Sequence, residues 1–177
     1  MKQNFKIPVY SHGVTLNEIP DKISLVINLG NCECHCKGCH SDYLWDTHKC
    51  EEQTPEELLS LIKSYKSVTN TVLFMGGNRN HMNFEEFAET VLKPLHDLGI
   101  HIGIYLGAWD AMDLYTACKY CRWVKVGAYR EEFGGLDNPN TNQIFLEVFF
   151  YYITSMQHMK INEECICIYC FAILFLI

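Results

Sequence analysis

The chain lacks any apolar run long enough to cross a bilayer. The longest, Cys165 to Ile177, is thirteen residues, which as a helix covers about 20 Å of a hydrocarbon core about 30 Å thick. No secretory leader is expected of the chain, because no apolar segment follows Met1-Lys2-Gln3-Asn4-Phe5-Lys6. It lacks a basic stripe: 14 Lys and Arg stand against 21 Asp and Glu, for a net charge of −7, which argues against nucleic acid as the main partner. No internal repeat or low-complexity linker breaks the 177 residues, a length that suits one domain with a short appendage. With 49% hydrophobic and 20% charged residues the composition is that of a globular protein. The expectation is a cytoplasmic protein with no membrane partner.

Cysteine, by contrast, is abundant. A chain of this length needs no disulfides to fold, so ten cysteines in a reducing compartment point to metal binding or redox chemistry. They are unevenly placed. Cys32, Cys34, Cys36 and Cys39 fall within eight residues, Cys50 stands alone, Cys118 and Cys121 form a CxxC, and Cys165, Cys167 and Cys170 close the set.

The middle of the chain alternates strand and helix signals. Ile23 to Leu29 is a β-rich run stopped by Gly30. Thr54-Pro55-Glu56-Glu57 is a capping box with Pro at the first helical position, and the stripe Leu58, Leu61, Ile62, Tyr65 carries that helix to about Tyr65. Thr71 to Met75 reads as a strand ended by Gly76-Gly77. Asn83 with Glu86 opens a second helix with Phe84, Phe87, Val91 and Leu95 on its buried face, and Gly99 is its stop signal. Pro94 should kink that helix or end it early. His101 to Leu106 reads as a strand, Asp110 to Cys121 as a helix and Trp123 to Val126 as a fourth strand.

Such alternation implies βαβ units and a mainly parallel sheet. The chain is too short for eight strands, so an open, partial β/α barrel is expected over residues 1–148, with a small doubly wound sheet as the alternative. In both, chemistry collects at the carboxyl ends of the strands, and both the cysteine loop and the Gly76-Gly77 turn follow a strand directly. Residues 149–177 read as a divergent apolar tail rather than a second cluster site, with edge pairing able to absorb the stretch from Ile144.

Cys32, Cys36 and Cys39 have the spacing CxxxCxxC. Three thiolates on a short loop can each take one iron of a [4Fe-4S] cube and leave the fourth iron without a protein ligand. An open metal position suits catalysis, whereas a structural site is closed. Spacing alone leaves open a structural zinc or cluster using four of Cys32, Cys34, Cys36, Cys39, His35 and His40. Cys118 and Cys121 read as two semi-buried helix cysteines, since no second pair stands at zinc-ribbon spacing.

The run Asn31-Cys32-Glu33-Cys34-His35-Cys36-Lys37-Gly38-Cys39-His40-Ser41-Asp42-Tyr43-Leu44-Trp45-Asp46 resembles the cluster loop of radical S-adenosylmethionine (SAM) activases, above all the anaerobic ribonucleoside-triphosphate reductase-activating protein family. Phe74-Met75-Gly76-Gly77 resembles that family's second-strand glycine turn. Val124 to Tyr129 is similar to its VKVGPY segment, and Gly134 to Gln143 to its GGLDNPxTNQ loop. The resemblance spans roughly residues 5 to 148. It implies a [4Fe-4S] cluster on Cys32, Cys36 and Cys39, whose unique iron chelates SAM. Gly38 and His40 would lie against SAM, and Gly76, Gly77 and Asn78 would meet its methionine part. It also implies an electron donor of the flavodoxin or ferredoxin type, and a reductase glycine as the atom donor. One departure stands out: many radical SAM enzymes carry an acidic residue after the glycine pair, and here it is the uncharged Asn78. Cys34 would be a spare thiol. The alternatives are a radical SAM enzyme acting on a small molecule, similar to 7-carboxy-7-deazaguanine synthase, and a non-catalytic metal module that uses four cysteines of the loop.

Overall fold

A computed structural model of the chain describes residues 5–149; the Cys165, Cys167 and Cys170 segment lies outside the described residues. The described residues form seven strands: β1 (Ile7–Thr15), β2 (Ser24–Leu29), β3 (Glu51–Gln53), β4 (Thr71–Met75), β5 (His101–Leu106), β6 (Trp123–Val126) and β7 (Ile144–Glu147). The helices are α1 (Pro55–Ser64), α2 (Phe84–Phe87), α3 (Lys93–Asp97) and α4 (Ala111–Tyr120). All seven strands join one sheet in the order β3-β1-β2-β4-β5-β6-β7.

The pairings β2–β4, β4–β5 and β5–β6 are parallel, each crossing through helix, as the sequence pattern requires. Both margins are antiparallel, with β1 against β2 and β3 on one side and β7 against β6 on the other. The sheet is therefore a parallel centre with antiparallel edges, and among the described residues it runs from β3 to β7 without closing. β7 is the edge strand foreseen for the stretch from Ile144. β1 and β3 escape a pattern reading because Pro8, His12 and Gly13 interrupt the first and the second holds only Glu51, Glu52 and Gln53.

Period-2 alternation divides the central strands between two faces. Leu25, Ile27, Val72, Phe74, Ile102, Ile104, Val124 and Val126 join the main core, together with Leu58 and Ile62 of α1, Phe84 and Phe87, Leu95, and Leu114 and Ala117 of α4. Val26, Leu73 and Trp123 face the other way, into a small cluster closed by Ile19, a loop residue. Among the described residues the helices cover one face only, unlike the doubly wound alternative. On the helix-free face, register aligns Asn28, Met75, Tyr105 and Lys125 in one row near the carboxyl ends of the strands. That row underlies the site.

Local signals act as read. Thr54 Oγ1 accepts from the Glu57 N–H at 3.2 Å and Glu57 Oε2 accepts from the Thr54 N–H at 2.7 Å, completing the capping box. Thr54→Ala should lower the unfolding free energy by about 1 kcal/mol in a urea titration, with metal loading unchanged. Pro94 does not end its helix early. The π turn Ala88–Leu92 precedes it, widening the ladder where the proline nitrogen has no hydrogen to give. The helix runs on to Asp97, and bonds from Gly99 N–H to His96 O (2.9 Å) and Ile100 N–H to Leu95 O (3.0 Å) close its end. No helix among the described residues is long and apolar enough to cross a membrane.

Candidate metal centre

The cysteine loop leaves the carboxyl end of β2 and wraps tightly. Asn31, His35 and Gly38 all have positive φ, 57°, 42° and 71°, so the wrap needs left-handed backbone at three points. Only Gly38 adopts it without steric cost. The loop is tied at its base by the Cys32 N–H to Leu44 O (3.0 Å), in the middle by Glu33 N–H to Arg79 O (2.9 Å), and internally by Cys39 N–H to Cys36 O (3.1 Å). The Ser41 N–H donates to Cys39 Sγ at 3.4 Å. Cys32, Cys34, Cys36 and Cys39 are all partly buried and none is in a disulfide.

The Cys34 thiol donates a hydrogen bond to Cys32. That bond holds Cys32 down at about 6, against an ordinary thiol value of 9.0, and pushes Cys34 up. Burial raises Cys39. Beneath the loop is Lys125, whose ammonium is lowered by burial and drawn back up by Cys36, Cys34, Cys39 and Cys32 together. Its Nζ lies 3.5 Å from Gly127 O and 5.2 Å from the centre of the Tyr105 ring. A partly buried lysine within electrostatic reach of four thiols supplies a cation that a set of thiolates would need.

The donor chemistry, thiols gathered on one short loop, suits an iron–sulfur cube. A [4Fe-4S] cube spreads its thiolates over separate irons. His35 packs on Trp45 (ring centres 4.9 Å apart) and His40 edges Tyr129 (6.1 Å). Asn31 Oδ1 is buried next to Cys32 with no hydrogen-bond partner.

The glycine turn docks against the base of this loop. Gly76 has φ 94°, and a Cβ there would meet the Asn80 side chain at 3.0 Å. Asn80, 2% exposed, accepts from the Gly77 N–H at 2.7 Å and donates to Leu29 O (3.1 Å) and Gly30 O (2.6 Å). One amide thus pins the β4 turn to the end of β2. The Gly77 N–H, foreseen as a group for SAM, is committed to Asn80. Asn78 is committed too: Nδ2 donates to Ala108 O and Asp113 Oδ2, both at 3.0 Å, and Oδ1 accepts from the Ala108 N–H at 3.4 Å. Gly107, just before, leaves room for Cys34, since a Cβ there would lie 2.7 Å from its sulfur.

The loop after β6 forms the third wall. Glu131 lies over Gly38, within 3.1 Å of where a Cβ would stand, and pairs with Lys37 at 3.1 Å. The polar residues of the Gly134–Gln143 stretch hold their own loop together: Thr141 Oγ1 donates to Gly134 O (3.2 Å), Asn142 Nδ2 to Ala128 O (2.8 Å) and Gln143 Nε2 to Gly127 O (3.1 Å). Between this loop and the cysteine loop opens a cavity of about 480 Å³, with Cys39 and His40 on one side and Tyr129, Gly134, Gly135, Asp137 and Asn138 on the other.

The cysteine loop, the glycine turn and the Val124–Gln143 segment therefore meet at one end of the sheet. Cys118 and Cys121 do not join them. Cys121 is fully buried in the main core with Cys118 packed against it, so this pair serves packing. Sequence reasoning missed Asn80, Lys125 and Asp113. A lysine inside the apolar run of β6 was a visible signal for the second; the other two lie among polar loop and helix residues and give none.

No curated protein shows significant sequence similarity to the chain. One solved structure, the crystal structure of QueE from Escherichia coli, aligns at TM-score 0.48 and 16% identity over 58% of this chain. The chain spans about half, 53%, of that protein's length. Residues 23–104, from the start of β2 into β5, match the family described as 4Fe-4S single cluster domain.

Proposed function

We propose that the chain is a radical SAM activase on a partial β/α barrel, with a [4Fe-4S] cluster on Cys32, Cys36 and Cys39, acting in the cytoplasm on an anaerobic ribonucleoside-triphosphate reductase. The observation that carries this is the shared cavity: its two walls are stretches far apart in sequence that each resemble a motif of that one activase family. Iron–sulfur similarity over residues 23–104 agrees with it. When bound, the cluster supplies the electron, delivered by a flavodoxin- or ferredoxin-type donor, that cleaves SAM to methionine and a 5′-deoxyadenosyl radical able to take hydrogen from a reductase glycine.

The chain's own residues bind, orient and insulate. Cys32, Cys36 and Cys39 hold three corners, and Gly38 lets the loop turn tightly under Glu131. Lys125 offsets thiolate charge from below, where water is scarce and a charge acts strongly. Lys125→Met should therefore shift the cluster's reduction potential to more negative values in an anaerobic redox titration, because the added electron loses its nearby cation. Apart from Tyr129, the wall built of Gly134, Gly135, Asp137 and Asn138 is formed by glycines and short polar side chains, which suits an extended glycine-bearing strand of a partner protein.

The test is anaerobic reconstitution with iron and sulfide, then reductant and SAM, with and without the reductase. SAM cleavage to 5′-deoxyadenosine plus a glycyl electron-spin signal on the reductase is the expected result. Cleavage without transfer would favour a small-molecule radical SAM enzyme. A tightly held metal with no cleavage would favour a metal module.

A further inference from the structure

Among the described residues, the end of the sheet opposite the cysteine loop carries an exposed apolar floor. Val14 is near the end of β1 and Leu16 just beyond it, Ile23 precedes β2, Val68 precedes β4 and Leu98 precedes β5. Their exposure runs from 46% for Val14 to 66% for Leu16. Hydrogen bonds gather these segments: Thr69 Oγ1 donates to Ile23 O at 2.6 Å and Asn70 Nδ2 to Gly99 O at 2.9 Å. The Val68 segment therefore lies against both Ile23 and the Leu98 turn, while strand pairing sets Val14 opposite Leu25. Single apolar side chains on a surface need no explanation, but a group of large ones at one end of a sheet marks a surface that something covers.

The described chain leaves the fold at this same end. β7 runs antiparallel to β6, pairing Glu147 with Trp123, and the Val148 N–H donates to Arg122 O at 2.7 Å. Phe149, itself exposed, thus stands at the amino ends of the parallel strands. Further along the sequence, residues 165–177 are apolar without interruption and directly follow Glu163-Glu164. Lys22 next to Ile23 and Lys66 shortly before Val68 offer the opposite charge. Reach is sufficient: β2 is four strand spacings from β7 in the sheet order, about 19 Å, and residues 150–164 can extend over about 50 Å. A tethered segment also meets the floor at a far higher effective concentration than a free partner. We propose that this floor is the docking surface for the chain's own residues 165–177. The radical SAM assignment is not needed for it, because the floor lies at the far end of the sheet from the cavity.

The native thiols Cys165, Cys167 and Cys170 report on this contact. In the full chain, kept anaerobic and reduced, iodoacetamide labelling followed peptide by peptide by mass spectrometry should be at least about tenfold slower at these thiols than in the urea-unfolded chain. Leu16→Glu together with Val68→Glu places charge on the floor without touching the core. This pair should raise the three rates toward the unfolded value, while Cys121, buried in the main core, stays protected and the chain sediments as a monomer. Where the double variant also exposes Cys121, Leu16→Glu alone carries the test, because Leu16 is the most exposed of the floor residues. Wild-type thiols that react as fast as in the unfolded chain would overturn the proposal. Protection that the glutamate variants leave intact would overturn it too, by putting the segment elsewhere. Protection lost on dilution, as a dimer dissociates, would make a second copy the occupant and equally overturn it.

Discussion

Alanine at Cys32, at Cys36 or at Cys39 is expected to abolish the [4Fe-4S] absorbance of anaerobically reconstituted protein and all SAM cleavage, whereas Cys34→Ala should keep both. A cube held at three corners has no reserve: losing one thiolate leaves two irons open and the cluster is lost. Cys34 is the closest rival for a corner, since it is hydrogen-bonded to Cys32 and acted on by Cys36, and itself acts on Lys125. Yet its sulfur sits over Gly107, so close that even a Cβ there would collide with it. The four-ligand alternative makes the opposite statement about this residue. If Cys34→Ala loses iron as fully as Cys36→Ala, all four thiols are ligands and no corner remains for a substrate.

The second large effect is on folding. Asn80→Ala removes three buried hydrogen bonds at once and leaves the Gly77 N–H, Leu29 O and Gly30 O without their partner. A buried polar group left unpaired costs about 1–3 kcal/mol, so the combined loss is several kcal/mol, a large part of the stability of a domain this size. Urea denaturation should show a large fall in the midpoint. The β2 and β4 ends would also separate, so the variant should take up iron poorly even where it remains folded. Asn80→Asp tests the same joint more gently. Its oxygen can accept from the Gly77 N–H, but it has no hydrogen to give to the two carbonyls, so it should fall between Ala and wild type.

Much of the parallel centre is written in local pattern. The strands at Thr71, His101 and Trp123 begin and end where the β-rich runs do, and Thr54, Asn83 and Asp110 cap helices through their own side chains. Those signals are short-range and need no knowledge of the rest of the chain. The antiparallel margins are different. β3 is polar and gains its identity only from pairing with Ile7, Pro8 and Val9. Helix placement on one face follows from which alternate residues of each strand find a helix, and no single segment states it.

The site divides in the same way. Its cysteines and glycines sit in compact motifs and could be named from spacing and resemblance. Asn80, Lys125 and Asp113 matter through neighbours far along the chain: Asn80 reaches Leu29, Lys125 underlies the cysteine loop, and Asp113 reaches Asn78. Asn78 shows how a motif read in isolation misleads. Read alone, as a replacement for an acid, it removes a charge, while in the fold it holds an aspartate in place.

The most direct measurement is the electron-spin spectrum of the reduced, anaerobically reconstituted protein, recorded with and without SAM and compared with the iron and sulfide content per chain. Three protein ligands predict about four irons per cube and a spectrum that SAM visibly changes, because the nucleotide reaches the open iron. A full iron complement whose spectrum is identical with and without SAM, or a chain that holds a single zinc in its place, would contradict the account.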